Sequence, residues 1–376
     1  MGPVGGHAKF DALDGFRGLA AVFVCIYHMP QYWGFAVPRA PLAVDLFFLL
    51  SGFVIGNSYD HRLATGQLSA GAFCLVRLIR LYPMYLISLL LVSSMYIEGL
   101  LAHHRIGAEH FNPGNFAAMI AGLFMLPMKV SGDSRFYPLN IVYWSLFFEL
   151  LCNFAYAALH ARLTNRVLLA IVIICAVILV AMVHLNRSID LGPLWTGLSL
   201  GGGLVRSLLG ICGGLLLYRL QARSAVSRLG SAHPVLAMLL IALILGLPSI
   251  GEWDWLLQLL AVFIIFPACL ASGIAERHAP PGSRSVGSRY LALLGLASYP
   301  IYVLHLPLGH FVDVLAGKRL PGFAPLSGIF VTLLIAVIGI ALAQRLDAPL
   351  RKYLTIMVFG ERLRVPLVAA AVVQTP

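Results

Sequence analysis

Residues 166–185 read RVLLAIVIICAVILVAMVHL, a run in which Arg166 is the only Lys, Arg, Asp or Glu. An α-helix needs about 20 apolar residues to cross a bilayer. Similar stretches recur along the chain, and none shows the roughly 10-residue alternation of a barrel strand. The predicted spans are 13–33, 41–58, 78–98, 138–160, 166–185, 198–219, 235–250, 255–275, 290–312 and 326–347. The sequence therefore predicts an all-α, polytopic transmembrane helix bundle with about ten spans.

The composition agrees with a membrane protein. Of the 376 residues, 60% are hydrophobic and only 11% are charged, whereas soluble domains carry about 25% charged residues. Lipid rather than water must solvate most of the surface, so any functional site lies between helices or in the end loops. The formal net charge of +11 is better explained by Lys and Arg in cytoplasmic loops than by a nucleic-acid surface.

The cysteines and the N-terminus argue against a disulfide-linked protein, a zinc protein and a cleaved signal peptide. The six cysteines show neither CxxC nor Cys/His metal spacing. We interpret them as small packing residues rather than as disulfides or a zinc site. The first apolar segment contains Arg17 and His28, which indicates a retained first span and not a cleaved signal.

The basic residues predict an orientation. If the N-terminus is cytoplasmic and the short apolar piece 116–128 does not cross, most of the 26 Lys and Arg residues fall on the cytoplasmic side. If 116–128 crossed, this bias would vanish. We therefore predict cytoplasmic N- and C-termini and a re-entrant or interfacial segment near 116–128. The Pro/Gly/Ser-rich segment 276–289 is interpreted as a flexible cytoplasmic connection, and the tail after Arg364 is apolar.

Several titratable side chains fall inside predicted spans. A charge at the bilayer centre is costly and is a functional-site hypothesis by default. Arg17 and His28 share the first span about three turns apart, which places them on one face and about 16 Å apart along the axis. Each alone has a structural explanation, as a snorkelling arginine or a hydrogen-bonded core histidine. The full set is Arg17, His28, Asp45, Glu149, Arg206 and His305, with Arg77 and Arg80 at the inner end of the third span.

Positions along the spans predict partners for these groups. Asp45 is placed to pair with His28, fix its tautomer and raise its basicity; a buried charge pair or a helix N-cap is the alternative. Glu149 needs a partner within the bilayer, and Arg206 is the obvious one, in a structural ion pair between helices. His305 lies in a span that two prolines interrupt, and is a candidate second acid/base or acceptor-binding residue.

Arg77 and Arg80 form an R-x-x-R whose spacing puts both side chains on one helix face. Two guanidinium groups there are suited to clamp phosphates, although anchoring to anionic lipid explains such a pair equally well. An anionic ligand entering from the cytoplasm would meet these arginines and Arg17 first, and its far end would reach His28 about 15 Å further in. Coenzyme A has that shape, with a phosphorylated head and a long arm that ends in a thioester.

Six motif segments occur in order between residues 13 and 312: LDGFRGLAAVFVCIYH, VDLFFLLSGFVI, RLIRLYPMYL, YWSLFFEL, RSLLGICGGLLLY and LGLASYPIYVLHLP. Together they resemble the acyltransferase-3 family, which includes O-antigen, exopolysaccharide and nodulation-factor acetylases and some macrolide acyltransferases. The resemblance implies a bundle of about ten helices that moves an acyl group, usually acetyl, from cytoplasmic acyl-CoA to a carbohydrate hydroxyl. Some members carry a fused extracytoplasmic esterase-like domain; we expect none here, but a single membrane domain over residues 1–376 with its motifs in 13–312.

The resemblance also implies site residues. It makes His28 the catalytic histidine and Arg17, Arg77 and Arg80 donor-site residues. No metal is expected. The predicted catalytic set is His28, Asp45, Glu149 and His305, and the predicted donor-binding set is Arg17, Arg77, Arg80 and Arg206.

The resulting hypothesis is general-base catalysis, in which His28, oriented by Asp45, activates an acceptor hydroxyl that attacks the acyl-CoA thioester. Direct transfer is favoured because no activated Ser or Cys is evident, and an acyl-histidine intermediate is the alternative. A transporter or flippase with a proton relay and a structural membrane subunit are the rival functions.

Expected partners are a carbohydrate or glycolipid acceptor, chosen by the outer loops 101–137 and 186–197, and the lipid bilayer of a bacterial inner membrane. A second copy and polysaccharide-export proteins are further candidate partners.

Overall fold

The computed structural model describes residues 10–101, 113–221, 234–275 and 286–360. Within these ranges the chain forms helices and no strand, and one isolated antiparallel bridge joins Arg135 and Leu194. The predicted all-α class is confirmed. The helices are α1 (Asp11–His28), α2 (Pro30–Trp33), α3 (Leu42–Ile55, continued by a π-helical turn Gly56–Asp60 and by His61–Ala64), α4 (Ala70–Leu101), α5 (Pro113–Leu123), α6 (Tyr143–Leu159), α7 (Asn165–Asn186), α8 (Gly197–Gln221), α9 (Pro234–Gly246), α10 (Asp254–Leu260, continued by a π-helical turn Ala261–Ile265 and by Phe266–Ala275), α11 (Val286–Ala316) and α12 (Leu326–Leu342, continued by a π-helical turn Ala343–Asp347 and by Ala348–Phe359).

Every predicted span overlaps one of these helices. In the described part of the chain, seven are long and apolar enough to cross a membrane, namely α3, α4, α7, α8, α10, α11 and α12. Helix α6 has 17 residues and α9 has 13, and α1 carries Asp11, Asp14 and Arg17 in its first two turns. These three charges among 18 residues set α1 apart from the seven. The count of ten spans and the orientation of the termini stay predictions.

The segment predicted to be re-entrant or interfacial contains the short helix α5. Eleven helical residues extend about 16 Å, which is too short for a hydrocarbon core of about 30 Å. Helix α5 leans on α4, where Tyr82 and Tyr85 donate hydrogen bonds to the carbonyl oxygens of Leu123 and Gly122, both at 2.8 Å. Its C-terminal end is therefore held against the bundle by side chains that satisfy its last carbonyl groups.

Other predicted features lie outside the described residues. The connection at 276–289 is described only from residue 286, where α11 begins, and the tail after Arg364 is not described. Residues 102–112 of the loop 101–137 are also outside the described ranges. The prediction of one domain over 1–376 stays a prediction.

Helices α3 and α8 cross with their backbones almost in contact. A Cβ atom at Gly52 would lie 2.1 Å from the carbonyl oxygen of Ile211, and one at Gly214 would lie 2.1 Å from that of Leu49. Small residues of this kind let helices approach closely in a membrane. The crossing brings the buried charges of the two helices, Asp45 and Arg206, within bonding distance.

Helices α1 and α11 pack just as closely. A Cβ atom at Gly18 would lie 2.5 Å from the Cβ of Leu294, and one at Gly295 would lie 2.4 Å from the Cβ of Asp14. The main apolar core lies between these two helices and α3, α4, α6, α8 and α10. The α1–α11 contact also sets His28 beside His305.

The close crossing of α3 and α8 makes a prediction about neighbouring glycines. We expect Gly214→Ala to destabilise the protein by about 1–3 kcal/mol, the usual cost of overpacking, because the new methyl group meets backbone atoms. Gly213→Ala is the control, since its Cβ would have its nearest neighbour at 3.7 Å and alanine favours the helix. Thermal unfolding in detergent checks the pair, and equal melting temperatures would contradict the crossing.

Two prolines, Pro300 and Pro307, lie inside α11, which continues as a helix through both. Pro307 has no N–H to donate to the carbonyl oxygen of Val303, four residues earlier. Ser88 and Asn140 donate to that oxygen instead, at 2.6 and 3.2 Å. Side chains of neighbouring segments thus satisfy the carbonyl that the proline frees, and α11 remains helical at His305, which contacts the end of α1.

Candidate active site

Two histidines meet where α1 ends. His28 is the last residue of α1, and His305 lies in α11. Nε2 of His305 is 3.1 Å from Nδ1 of His28, and the ring centroids are 4.9 Å apart. His305 is fully buried and His28 is half-buried. The structure thus brings together two of the predicted catalytic residues; we call this region the histidine end of the bundle.

Two backbone carbonyls decide where the protons of this pair lie. Nδ1 of His28 is 2.9 Å from the carbonyl oxygen of Val24, and Nδ1 of His305 is 2.9 Å from that of Ile301. Because a carbonyl oxygen only accepts, we assign the proton of each neutral ring to Nδ1. Nε2 of His305 then faces the Nδ1–H group of His28 as an acceptor, and Nε2 of His28 keeps its lone pair. A nitrogen lone pair is what a general base requires.

The predicted pairing of Asp45 with His28 is wrong. Asp45 accepts two hydrogen bonds from Arg206, from Nε at 2.9 Å and from Nη2 at 2.6 Å. Both side chains are buried. The reason lies in the packing: the glycine contacts described above set α3 against α8, so the carboxylate meets the arginine of α8 rather than the histidine of α1.

Arg206 has a structural environment. Besides Asp45, its guanidinium group donates to the carbonyl oxygens of Leu191 at 2.6 Å and Pro41 at 2.9 Å, and it lies over the ring of Trp144 at 5.3 Å. All three guanidinium nitrogens thus have protein partners. The geometry favours a role for Arg206 in joining two helices and a loop, rather than the donor-binding role predicted from sequence.

The predicted pairing of Glu149 with Arg206 is also wrong. Oε1 of Glu149 accepts from Nη2 of Arg77 and from Oγ of Ser51, both at 2.6 Å. The ion pair joins α4 to α6, and Ser51 adds α3. Nε of Arg77 is buried without a hydrogen-bond partner, so this arginine, 2% exposed, keeps one donor unused.

The predicted donor-binding arginines of α1 and α4 lie together, in a region that we call the arginine end. The charge of Arg17 interacts with those of Arg80, Arg77 and Glu149. Among the described residues, the polar contacts of Arg17 are long, 3.5 Å to Asp14 and 3.5 Å to the carbonyl oxygen of Leu50. Arg80 makes no hydrogen bond or ion pair with the described residues. Several guanidinium donors therefore remain available for an anion.

Sequence reasoning missed two charged residues of the arginine end, Asp347 and Arg351. They form an ion pair at 2.6 Å in the last part of α12, and both interact electrostatically with Arg80. The predicted span ended at residue 347, so Arg351 was counted as a loop charge. Its i, i+4 spacing from a buried carboxylate was the available signal. Within the described residues no group of three His, Cys, Asp or Glu side chains could hold a metal ion.

The histidine end also contains a polar contact that the sequence did not predict. The hydroxyl of Tyr27 donates to Oδ2 of Asp190 at 3.2 Å. The ring of Tyr27 packs edge-on against that of His28, with centroids 5.0 Å apart. Asp190 is exposed in the loop between α7 and α8, and it interacts electrostatically with His28. The half-buried histidine therefore has a tyrosine hydroxyl and a carboxylate on one side.

The sequence also matches a known protein family over most of its length. A family model described as an acyltransferase domain matches residues 10–344. The chain belongs to the acyltransferase-3 family. It is therefore an acyltransferase, and the seven apolar helices found in the described ranges together with this family make it an integral membrane protein.

Three proteins that are similar in sequence to this acyltransferase have names that bear on its function. "Protein 2 in picA locus" of Rhizobium radiobacter is 36% identical over 182 residues, which cover 46% of this chain and 93% of that protein. A Staphylococcus aureus protein named "Putative O-acetyltransferase" is 34% identical over 22% of this chain and 13% of its own length. "Exopolysaccharide production protein ExoZ" of Rhizobium meliloti is 25% identical over 34% of this chain and 36% of its own length. No solved structure matches the chain.

Proposed function

We propose that this acyltransferase moves an acyl group, acetyl in the simplest case, from acyl-CoA at the arginine end to a carbohydrate hydroxyl at the histidine end. The observation that carries the proposal is the 2.9 Å contact between Nδ1 of His28 and the carbonyl oxygen of Val24, which assigns the proton to Nδ1 and leaves the lone pair on Nε2. Arg17 lies on the same face of α1, about 16 Å away along the helix. The names of the relatives, O-acetyltransferase and exopolysaccharide production, support a polysaccharide as acceptor.

His28 carries the proton transfer. Its Nε2 takes the proton of the acceptor hydroxyl as the hydroxyl oxygen attacks the thioester carbonyl carbon. The C–O bond forms, the C–S bond breaks, and the sulfur leaves with the proton that the imidazolium returns. The products are an O-acylated carbohydrate and free coenzyme A, so no further reactant is required. His305 holds the imidazole ring through the contact with Nδ1 and is a positioning residue.

The arginine end suits the phosphorylated head of the donor. Guanidinium groups bind phosphate through paired, charge-assisted hydrogen bonds. Arg80 has no hydrogen-bonded partner among the described residues, and Nε of Arg77 is buried and unpaired. We assign donor binding to Arg17, Arg77 and Arg80, with Arg351 beside them, and exclude Arg206 because its nitrogens are already bound.

The test is acyl-CoA turnover by detergent-purified protein, with free coenzyme A followed by a thiol reagent. We expect coenzyme A release that depends on His28, and thermal stabilisation by coenzyme A but not by pantetheine, which has the same thiol arm and no phosphates. A protein that releases no coenzyme A from any acyl-CoA and shows no thermal shift would contradict the proposed donor.

Removing Arg80 should weaken donor binding more than chemistry. We expect Arg80→Ala to raise the KM for acetyl-CoA about 10- to 100-fold, the factor that one hydrogen bond to a charged group supplies, with a smaller change in kcat. Arg166→Ala is the matched control, because Arg166 is an exposed arginine in the first turn of α7. An equal rise in KM for both variants would indicate a general effect of positive charge and not a binding contact.

A further inference from the structure

The loop 187–196, between α7 and α8, is held at almost every residue. Its backbone bonds involve side chains of α8 and α10 and the backbone of the segment 134–136. The bonds are Ile189 N to Gln258 Oε1 at 2.8 Å, Arg206 Nη1 to Leu191 O at 2.6 Å, Gly192 N and Leu194 N to Ser199 Oγ at 2.9 and 3.1 Å, Phe136 N to Pro193 O at 2.7 Å, and Trp195 N to Ser134 O at 2.8 Å. An irregular loop with this many bonds has a defined conformation.

A buried polar chain fixes the part of the loop next to Asp190. Gln258, which holds the backbone of Ile189, donates from Nε2 to Asp254 at 2.7 Å. Asp254 in turn accepts from Nε of Arg39 at 3.0 Å. All three side chains are buried. Buried polar groups of this kind are costly to disturb. These three hydrogen-bonded side chains therefore fix the position of Ile189, the residue before Asp190.

Asp190 is an exposed residue of this hydrogen-bonded loop, and it lies against Tyr27, the residue before His28. Its carboxylate takes part in no ion pair among the described residues, and its side-chain contact is the hydroxyl of Tyr27 at 3.2 Å. Tyr27 immediately precedes His28 and packs against its ring. Asp190 also interacts electrostatically with His28. The molecule therefore places this carboxylate, which has no ion pair among the described residues, on an ordered loop and in contact with the residue that packs against the ring of His28.

The geometry points to an acceptor-binding subsite at the histidine end, in which Asp190 and Tyr27 hold a second hydroxyl of the carbohydrate whose first hydroxyl reacts at His28. This inference rests on the proposed function. An ionised carboxylate only accepts hydrogen bonds, and hydroxyl groups are donors that it binds strongly. The substrate class is accordingly a sugar ring with neighbouring free hydroxyls. An acceptor with a carboxylate or phosphate beside the reacting hydroxyl is disfavoured by the charge of Asp190.

A purely structural role for the Tyr27–Asp190 contact is the alternative. The loop is already fixed by the bonds to Gln258, Arg206 and Ser199, so one more exposed hydrogen bond adds little to its order. A structural contact would also need no charge, since the amide oxygen of asparagine accepts a hydrogen bond from the tyrosine hydroxyl as well. Replacing the charge while keeping the shape separates the two roles.

The experiment compares wild type with Asp190→Asn in two reactions of the purified protein. The first is hydrolysis of acetyl-CoA, where water is the acceptor, and the second is acetyl transfer to methyl glucoside, methyl galactoside and propan-1-ol. We expect Asp190→Asn to leave hydrolysis and transfer to propan-1-ol unchanged and to lower kcat/KM for the glycosides by about 10- to 100-fold. Tyr27→Phe should lower the same value by a smaller factor, because it removes only the neutral partner.

Glu252→Gln is the matched control, since Glu252 is an exposed carboxylate between α9 and α10 with no contact to His28. Equal glycoside transfer by wild type and Asp190→Asn would overturn the subsite and leave the proposed function intact. If wild type hydrolyses acetyl-CoA but transfers to no sugar, the subsite is overturned together with the carbohydrate acceptor, and only the donor half of the proposed function stands. Loss of all acetyl-CoA turnover in wild type would instead overturn the proposed function. A drop in hydrolysis and melting temperature in Asp190→Asn would assign Asp190 a structural role and also overturn the subsite.

Discussion

Replacing His28 by alanine should lower the rate of acyl transfer by about 10²- to 10⁴-fold, the factor that a positioned general base contributes. The effect should appear in kcat, because in the proposed mechanism the imidazole acts on the hydroxyl proton and lies about 16 Å along α1 from Arg17, one of the arginines proposed to bind the donor. Binding of coenzyme A, followed as a thermal shift, should therefore persist. The measurement is coenzyme A release by wild type and His28→Ala at matched protein concentrations.

Two further variants test whether the effect is specific to His28. His61→Ala removes an exposed histidine in the last segment of α3 and should leave the rate unchanged. His305→Gln keeps a polar side chain beside His28 and should cost less than His28→Ala, because the bond to Val24 alone still places the proton on Nδ1 of His28. Undiminished transfer by His28→Ala would remove His28 from the mechanism.

Replacing Arg206 by methionine should destabilise the protein by about 3–5 kcal/mol, the usual cost of leaving one member of a buried ion pair without its partner. Arg206 is 1% exposed and Asp45 is 4% exposed, so water cannot replace the lost bonds. The carbonyl oxygens of Leu191 and Pro41 lose their donor as well. Unfolding followed in detergent by thermal and denaturant methods measures the loss.

The double variant Asp45→Asn/Arg206→Met is the control for this prediction. It removes the unpaired buried charge and should recover part of the lost stability, because neutralising both partners is far less costly than breaking the pair. The fraction that folds should retain its turnover of acyl-CoA. A double variant that folds as well as wild type and has lost all turnover would instead return the Asp45–Arg206 pair to the site that the sequence predicted.

The Asp45–Arg206 pair supports the site from a distance. It joins α3 to α8, and through Leu191 it also holds the loop that carries Asp190. The Arg77–Glu149 pair has the corresponding position at the other end, where it joins α4 to α6 beside Ser51 of α3. Asp45 and Glu149, which the sequence predicted to be catalytic, thus form ion pairs that join helices at the histidine end and at the arginine end.

The helices and the long axis of the site could be predicted because both depend on local sequence. Runs of apolar residues specify membrane helices, and the spacing of Arg17 and His28 fixes their common face and their separation on any α-helix. The motif order indicated the family, which the match over residues 10–344 confirmed. Charges within α1 and the short lengths of α6 and α9 are why the same local patterns left the number of spans unproven.

Partners in the site could not be predicted because they belong to different helices. Asp45 and Glu149 are both carboxylates in apolar segments, and no local pattern says which arginine each one meets. For Asp45 that choice follows from where Gly52 and Gly214 let the backbones of α3 and α8 touch, which depends on the packing of all the helices at once.

The sequence by itself determined an all-helical membrane acyltransferase with a histidine and an arginine on one face of its first helix. Only the tertiary structure decided that His305 contacts His28, that Asp45 belongs to Arg206, and that Asp190 lies beside Tyr27. The physical reason is that helix periodicity places side chains relative to their own helix, whereas bonds between helices depend on close packing that no single segment encodes.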